Sequence, residues 1–487
     1  MERGTPVENR ITRQFLDDAR GEDRAADTTD PAFDRTHAWL GRPVFNRPAF
    51  LTAPEVRSLD HDLGVLLRVL TTLPQRLYGG DPARMARALG LPEAQAAAIA
   101  RCTEPGKPVP EPVPVGRADL LREDGRFRLV EFNTGSSLGG CEIAEMSRAM
   151  GTHKPLAAFA EEHGLGFADP VAAMMASMDA VRAPSGLPVA VVTWPARPGA
   201  EPDFTHLRLF LHQLGGLGID AFPCHIGQLR YEGGALTAAG RRVDRLFRTF
   251  QVGRLTGEPE SDALAAPLLD AVADGAAALF APLATDIYGG KDCLGLLSDE
   301  AHRDAFDAGE REVIDRLLPW TRPLRAGRAT REGRAVDLLD HVRAERERLV
   351  VKPSTGCAGQ GVTAGWELTP AEWERRIAEA LTTPHVIQER VRADSERFLA
   401  DPATTDPATI DPATTGPGAD PAPAAAPGPA PVPRSLVPAL LSWGVFHTVH
   451  GFSGAFVKGI PGAAQDIRRL GDGSHVGCVY HESPSEA

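Results

Sequence analysis

The chain is poor in the residues that staple a fold or span a membrane. Its six cysteines, Cys102, Cys141, Cys224, Cys293, Cys357 and Cys478, are scattered and form no Cys-x-x-Cys pair. That spacing excludes both a disulfide framework and a zinc ribbon. No stretch reaches the roughly 18 uncharged apolar residues of a membrane span. The opening MERGTPVENRITRQFLDDARGEDRAADTTD mixes both signs of charge and lacks the apolar core of a secretory signal. Basic residues are in deficit, 52 Lys and Arg against 65 Asp and Glu, for a formal net charge of -13. A general nucleic-acid surface is thereby disfavoured, while a local basic cleft for phosphates stays open. A reduced, cytoplasmic protein is expected, with each cysteine a small buried hydrophobe.

What remains is ordinary globular material: 487 residues, 43% hydrophobic and 24% charged, enough for roughly two to four domains and a sizeable core. Residues 1–110 read as an N-terminal arm and helical region, with apolar residues at helical spacing over 54–74 and 81–102 and Asp81 as an N-cap. The Pro-rich PGKPVPEPVPV ends it. Residues 111–185 open on two short apolar strands. Residues 186–255 form a small α/β unit: the β-branched strand GLPVAVVTWP, the helix DFTHLRLFLHQLGGLG, the strand IDAFPCHI and a hairpin around Gly233-Gly234. In 256–400 a mostly helical stretch over 260–350 precedes a strand, a Gly-rich loop, a helix and a strand. Residues 401–435 repeat DPAT and dissolve into Pro and Ala, with almost nothing to bury. A hairpin with Gly451 and Gly454 near its turn opens 436–487.

Two segments carry chemistry. In RADLLREDGRFRLVEFNTGSS, residues 117–137, Glu131 and Asn133 lie two apart and share a strand face. Asp119 comes alongside them if the strands pair across the turn Glu123-Asp124-Gly125. Three oxygen ligands on one face suit Mg2+, which completes its shell with water and phosphates; a solvated hairpin face is the bland alternative. In ERLVVKPSTGCAGQGV, Lys352 ends an apolar strand and Gly356, Gly359 and Gly361 follow. Glycines let backbone N–H groups approach phosphate oxygens beside a neutralising lysine. The lysine precedes the glycines, so this is no Walker loop, and a plain turn with a snorkelling lysine would read the same way.

Arg-x-Asp, then Glu-x-Asn, then a VVKP strand with its glycine loop and an IQE strand together resemble the ATP-grasp ligases. The order, metal-ligand strands before the nucleotide lysine, is similar to the circularly permuted branch that includes glutathionylspermidine synthetase. GRRVDRLFRTF is similar to the VD-x-x-x-R segment of that branch, and DIYGGKDCLGLLSD to its Asn-Lys-x-x-x-x-x-Leu segment, with Gly290 in place of Asn. The resemblance runs from about Val113 to the end of the sequence. It implies a mixed α/β (α+β), circularly permuted ATP-grasp fold with an N-terminal helical region and a small α/β pre-ATP-grasp unit. It implies an ATP-dependent carboxylate-amine ligase that forms an amide or peptide bond through an acyl phosphate, releasing ADP and phosphate, in bacterial specialised or peptide metabolism. The substrates would be small-molecule or peptide acids and amines, with neither nucleic acid nor membrane as partner and the oligomeric state open.

Carried over to this chain, the resemblance implies that Asp119, Glu131 and Asn133 hold Mg2+, as a pair of ions and with Mn2+ as a substitute, against the β and γ phosphates of ATP. Arg117 would contact the γ-phosphate and the developing acyl phosphate. Lys352 and Lys291 would bind the α and β phosphates, with Gly356, Gly359 and Gly361 closing over them. The strand from His385 to Val391 would hydrogen-bond adenine through its backbone, with Gln388 and Glu389 at the hinge. Lys458 stands where the synthetase has an arginine and keeps the charge without the bidentate fork. Asp244 and Arg248 are either a substrate-carboxylate anchor or a structural ion pair. Ser136 and Ser137 are either substrate or phosphate donors or part of a turn into a helix near Cys141. The rival readings are an ATP-grasp phosphotransferase, a catalytically silent nucleotide-binding homologue and a carboxylate-pair hydrolase that uses no ATP.

Overall fold

The structure, a computed structural model, describes residues 6–17, 24–103, 115–136, 138–195, 202–356, 359–399, 436–462 and 474–483. The fold is mixed α/β. It is organised by the hairpin Val115–Glu123 and Arg126–Asn133, whose turn residues Asp124 and Gly125 have φ of 50° and 75°. Positive φ at both positions is the two-residue turn that matches strand twist. Pairing puts Asp119 opposite Glu131 and Arg117 opposite Asn133.

Alternation, reset by a bulge in the register between Asp119 and Leu120, then sorts the hairpin. Ala118, Leu120, Leu129 and Phe132 bury into a core shared with Leu63, Leu66 and Leu70 of the helix Ala53–Thr71. The polar set is left on the opposite face. The helix itself begins at a capping box between Thr52 and Glu55, with a proline in its first turn.

The hairpin belongs to an eight-stranded sheet built from both halves of the chain. Leu436–Thr448 pairs antiparallel with Val115–Glu123, and Gly451–Pro461, His475–Glu482 and Ala49–Leu51 continue beyond it in that order. A second, antiparallel sheet has the order Thr321–Pro323, His385–Glu389, Leu349–Pro353, Thr363–Ala364. It has its own core, with Trp373 and Ile377 of the helix Pro370–Ala380 against Val351 and Ile387. A third sheet is parallel: Ala278–Phe280, Arg245–Arg248, Val189–Thr193, Ala221–His225. Val189 to Thr193 is buried throughout, as a strand covered on both faces must be. Among the described residues no helix is long and apolar enough to cross a membrane.

Helices fill Ala53–Thr71, Pro82–Ala88 and Glu93–Arg101, hairpins turn at Gly233-Gly234 and between Thr448 and Gly451, and the parallel sheet of residues 186–255 takes a further strand, Ala278–Phe280, from beyond that stretch. The stretch 260–350 departs from expectation. It holds the helices Pro259–Ala273, Lys291–Ser298, Ala308–Leu317 and Leu338–Ala344, but also the strands Ala278–Phe280 and Thr321–Pro323 and a hairpin of Arg328–Arg331 with Arg334–Asp337. These strands are three or four residues long, too short for a period-two pattern to emerge. Most of the Pro-rich segment and the whole DPAT tract lie outside the described residues.

Arg248 ties the parallel sheet to the short helix Thr285–Tyr288. Its guanidinium is fully buried, donates to Asp286 at 2.8 and 3.0 Å, and also reaches the carbonyls of Ala281 and Phe250. Removing one partner of a buried pair strands the other charge in low dielectric, at a cost of about 3–5 kcal/mol. Asp286→Ala is therefore expected to lose stability on that scale in urea unfolding, whereas Asp315→Ala, which breaks the exposed pair with Arg303, should change it by less than about 1 kcal/mol.

Candidate functional site

Arg117, Asp119, Glu131 and Asn133 project from one face of the first sheet. Arg117 grips Asp119 through Nε (2.9 Å) and Nη2 (3.2 Å), while its Nη1 donates to the Leu138 carbonyl at 2.7 Å. Burial works against the guanidinium charge, but Asp119, Glu131 and Glu142 more than restore it, so its pKa lies above the ordinary arginine value. Asn133 donates a long hydrogen bond, 3.5 Å, to the Arg117 carbonyl.

Two lysines from beyond the hairpin meet this face. Lys291, buried at the start of the helix Lys291–Ser298, places Nζ 3.0 Å from Glu131 Oε1 and 3.5 Å from the Gly356 carbonyl. Its backbone N–H donates to Ser354 O at 3.0 Å, which fixes the helix start against the glycine loop. Lys352, from the second sheet, donates to Gln388 Oε1 at 2.6 Å and Val130 O at 3.2 Å. Burial of its ammonium, with help from the charge of Lys291 and against the pull of Glu131, lowers its pKa to about 8. The loop bends at Gly356, whose φ of 124° is closed to other residues; Gly359 and Gly361 also have positive φ.

Lys458 reaches the same face by a different route. Its strand pairs with Leu436–Thr448, where Gly444 stands opposite both Asp119 and Phe456. A Cβ at Gly444 would lie 2.2 Å from the Phe456 ring, so the glycine lets the ring lie flat across the sheet. The Lys458 ammonium then sits 4.9 Å and the Arg117 guanidinium 5.7 Å from the ring centroid, within cation–π range. Burial and the neighbouring Arg117 hold the Lys458 pKa below the ordinary lysine value.

The remaining candidates separate. Gln388 is buried, held between Lys352 and Thr321 Oγ1 (3.1 Å), and Glu389 accepts from Arg331 and Arg348. Their strand is central and pairs on both edges, and the N–H groups of Glu389 and Arg390 donate to Trp320 and Arg348 carbonyls. These pairings engage backbone groups over His385 to Glu389. Arg248 and Asp244 do not pair with each other: Asp286 holds Arg248, and Asp244 lies 3.4 Å from Arg182. Ser136 is buried and donates to the Phe250 carbonyl at 2.8 Å, a structural use. Ser137 lies outside the described residues.

A cleft of about 740 Å³ opens along Arg117, Glu131, Asn133, Lys291, Ser354 and Gly356. Three of its features were not anticipated. Leu89 to Pro92 and Gln95, from the N-terminal helical region, form part of its wall. Asp292 lines it too, its carboxyl pushed up by burial. Glu142 lends negative charge to both Arg117 and Lys458. Gly135-Ser136-Ser137-Leu138-Gly139 also matches the Gly-x-Ser-x-Gly letters of a hydrolase elbow. It follows the edge strand of an antiparallel sheet, not the parallel-sheet strand that positions such a nucleophile.

Two carboxylates and an amide on one face form an all-oxygen donor set of the kind a hard divalent cation takes. Among the described residues there is no group of three or more His, Cys, Asp or Glu that would hold a metal, so any ion here would rely on Asn133 and on ligands from outside the chain. Each carboxylate already carries a protein cation, and a metal would compete with Arg117 and Lys291 for the same oxygens.

The sequence matches no protein-family profile and no curated protein. Among solved structures it is similar to a glutathione synthetase-like effector from Globodera pallida in its apo form, at 12% identity, covering 92% of this chain and 96% of that one, with a TM-score of 0.49. It is similar also to a candidate gamma-glutamylcysteine synthetase from Methylobacillus flagellatus, at 12% identity, covering 85% and 86% of the two chains, with a TM-score of 0.37. Likeness at that level carries no argument about function.

Two tests address the site without assuming what it does. Gly444→Ala drives a methyl into the Phe456 ring and should cost about 1–3 kcal/mol in urea unfolding, the usual price of overpacking. For Lys352, whose pKa of about 8 lies below its unfolded value, the unfolded chain binds more protons above pH 8. Its contribution to stability therefore rises with pH from about 8 until the unfolded lysine has also titrated near 10.4. The stability of the wild type relative to Lys352→Met should climb across that window and stay flat below it.

Proposed function

We propose that the chain is an ATP-dependent carboxylate-amine ligase with an ATP-grasp type site, circularly permuted in chain order. The observation that carries this reading is the ion pair between Lys291 and Glu131, 3.0 Å across, with Lys352 and the Gly356 bend beside it. It brings the phosphate-type cations of one segment onto the oxygen face of another. Chain order is consistent with the permutation: the hairpin precedes the lysines in sequence, while Leu436–Thr448 and Gly451–Pro461, which complete its sheet, follow them.

Joining an acid to an amine near neutral pH needs a better leaving group than oxide. A carboxylate oxygen of the substrate attacks the γ-phosphorus of ATP, and the bond to the β-bridging oxygen breaks with its electron pair leaving on ADP. The amine nitrogen then attacks the acyl carbon, the bond to phosphate breaks, and the extra amine proton passes to solvent or phosphate. Neither step needs a protein nucleophile; positioned cations supply most of the stabilisation. In this reading Arg117 and Lys458 would steady the transferred phosphoryl group and the acyl phosphate, and Lys291 and Lys352 would bind the phosphates behind it. Asp119, Glu131 and Asn133 would hold Mg2+, which when bound offsets phosphate charge.

ADP release measured over a panel of acids and amines, with mass spectrometry of the products, tests the reading. One acid-amine pair should stimulate release stoichiometric with amide, and Asp119→Ala or Lys352→Ala should slow it by about a hundredfold or more. If no pair stimulates release, and Asp119→Ala and Glu131→Ala leave ATP binding in Mg2+ unchanged, the ligase reading falls.

A further inference from the structure

Gly135, Ser136 and Leu138 line the cleft described above, and they also line a separate cavity of about 260 Å³. Its walls are Leu138, Met174, Leu207, Phe210, Phe247 and Phe280, all buried. The three aromatic rings form a run, Phe210 to Phe247 at 4.8 Å and Phe247 to Phe280 at 5.3 Å between centroids. Among the described residues no Asp, Glu, Lys or Arg lines the cavity, and His206 is the one ionisable nitrogen group. The hydroxyls at its edge are engaged: Ser136 donates to Phe250 O and Thr249 to Val192 O at 3.0 Å. Cys141 also lines it, its thiol kept protonated by burial.

We propose that this cavity receives the apolar, aryl-bearing end of the acid substrate while the carboxylate lies in the adjoining cleft against Arg117. The inference rests on the ligase reading for the identity of the carboxylate as substrate, and on the cavity alone for its chemistry. Leu138 connects the two spaces: it lines both, and its carbonyl accepts from Arg117 Nη1 at 2.7 Å. A group attached to a carboxylate at Arg117 therefore meets the lip of the cavity first. The cavity also lies at the carboxyl ends of the parallel strands Arg245–Arg248 and Ala278–Phe280, where open α/β sheets take ligands. An apolar cavity of about 150 Å³ is enough for benzene, so the larger volume here admits a substituted ring. Among the described lining residues an ammonium would meet no carboxylate and a second carboxylate only His206, which disfavours basic side chains and dicarboxylates against an aryl group.

Calorimetry and phosphate release on the full chain, using 3-phenylpropanoate, glutarate and 2-naphthylacetate as probes, test the proposal. The aryl acid should bind about tenfold or more tightly than glutarate. Leu207→Trp, which fills the cavity, should abolish aryl-acid binding while ATP binding is retained. Should that variant fail to fold, Phe210→Ala enlarges the cavity and should shift preference toward 2-naphthylacetate. Equal or tighter binding of glutarate, no binding of either aryl acid, or aryl-acid affinity indifferent to both substitutions overturns the proposal. Aryl-acid binding that follows the substitutions with no phosphate release, whatever the amine, would uphold the cavity and sink the ligase reading; release driven by glutarate and not by aryl acids would do the reverse.

Discussion

Asp119 and Glu131 face each other across one antiparallel pair, and each is held by a cation from a different direction: Arg117 from its own strand, Lys291 from a helix more than a hundred residues away in sequence. Two carboxylates side by side at the edge of a core repel and resist burial; two cations bring the cluster close to neutrality and let the surrounding elements close on it. Lys352 and Lys458 then add two more cations, with Glu142 acting back on Lys458, and burial lowers the pKa of both. A chain of net charge -13 thus gathers four cations at one place, where they are available to an anion against the sign of the whole molecule.

The sheet makes that grouping possible by alternation with one register shift between Asp119 and Leu120. Ala118, Leu120 and Phe132 are spent on the helix Ala53–Thr71, so every second residue is free to be polar without weakening the core. Gly444 extends the same logic sideways. By giving up a side chain opposite Asp119 it lets Phe456 lie under two cations, so an apolar ring face supports them alongside the carboxylates. Such an arrangement attracts the cations without consuming their charge, which stays available to an incoming anion.

What was legible in the sequence is what local rules control. The Asp-Gly turn and period-two spacing predicted the hairpin and the common face of Asp119, Glu131 and Asn133, and apolar runs bounded by glycines predicted the strand that ends in Lys352. What was not legible depends on partners distant in sequence. Nothing near Arg248 says that Asp286, and not Asp244, will neutralise it. Nothing within HVIQE distinguishes a central strand from an edge strand; only the arrival of Thr321–Pro323 on its second side decides that. The wall contributed by Leu89 to Pro92 is of the same kind, an otherwise unremarkable helix connection placed by tertiary packing.

The contacts of the two central lysines also bear on how a ligand would enter. Lys352 bonds the Val130 carbonyl and Lys291 bonds Glu131, adjacent residues of one strand, so the segments carrying the lysines are fastened to the hairpin at two neighbouring points. Both contacts use donors that a phosphate would also claim. A polyanion entering there would take over the ammoniums and loosen the fastening at the moment it supplies a new bridge between the same segments. Exchange of this kind costs little net interaction, since charge-assisted hydrogen bonds are traded for others of the same type.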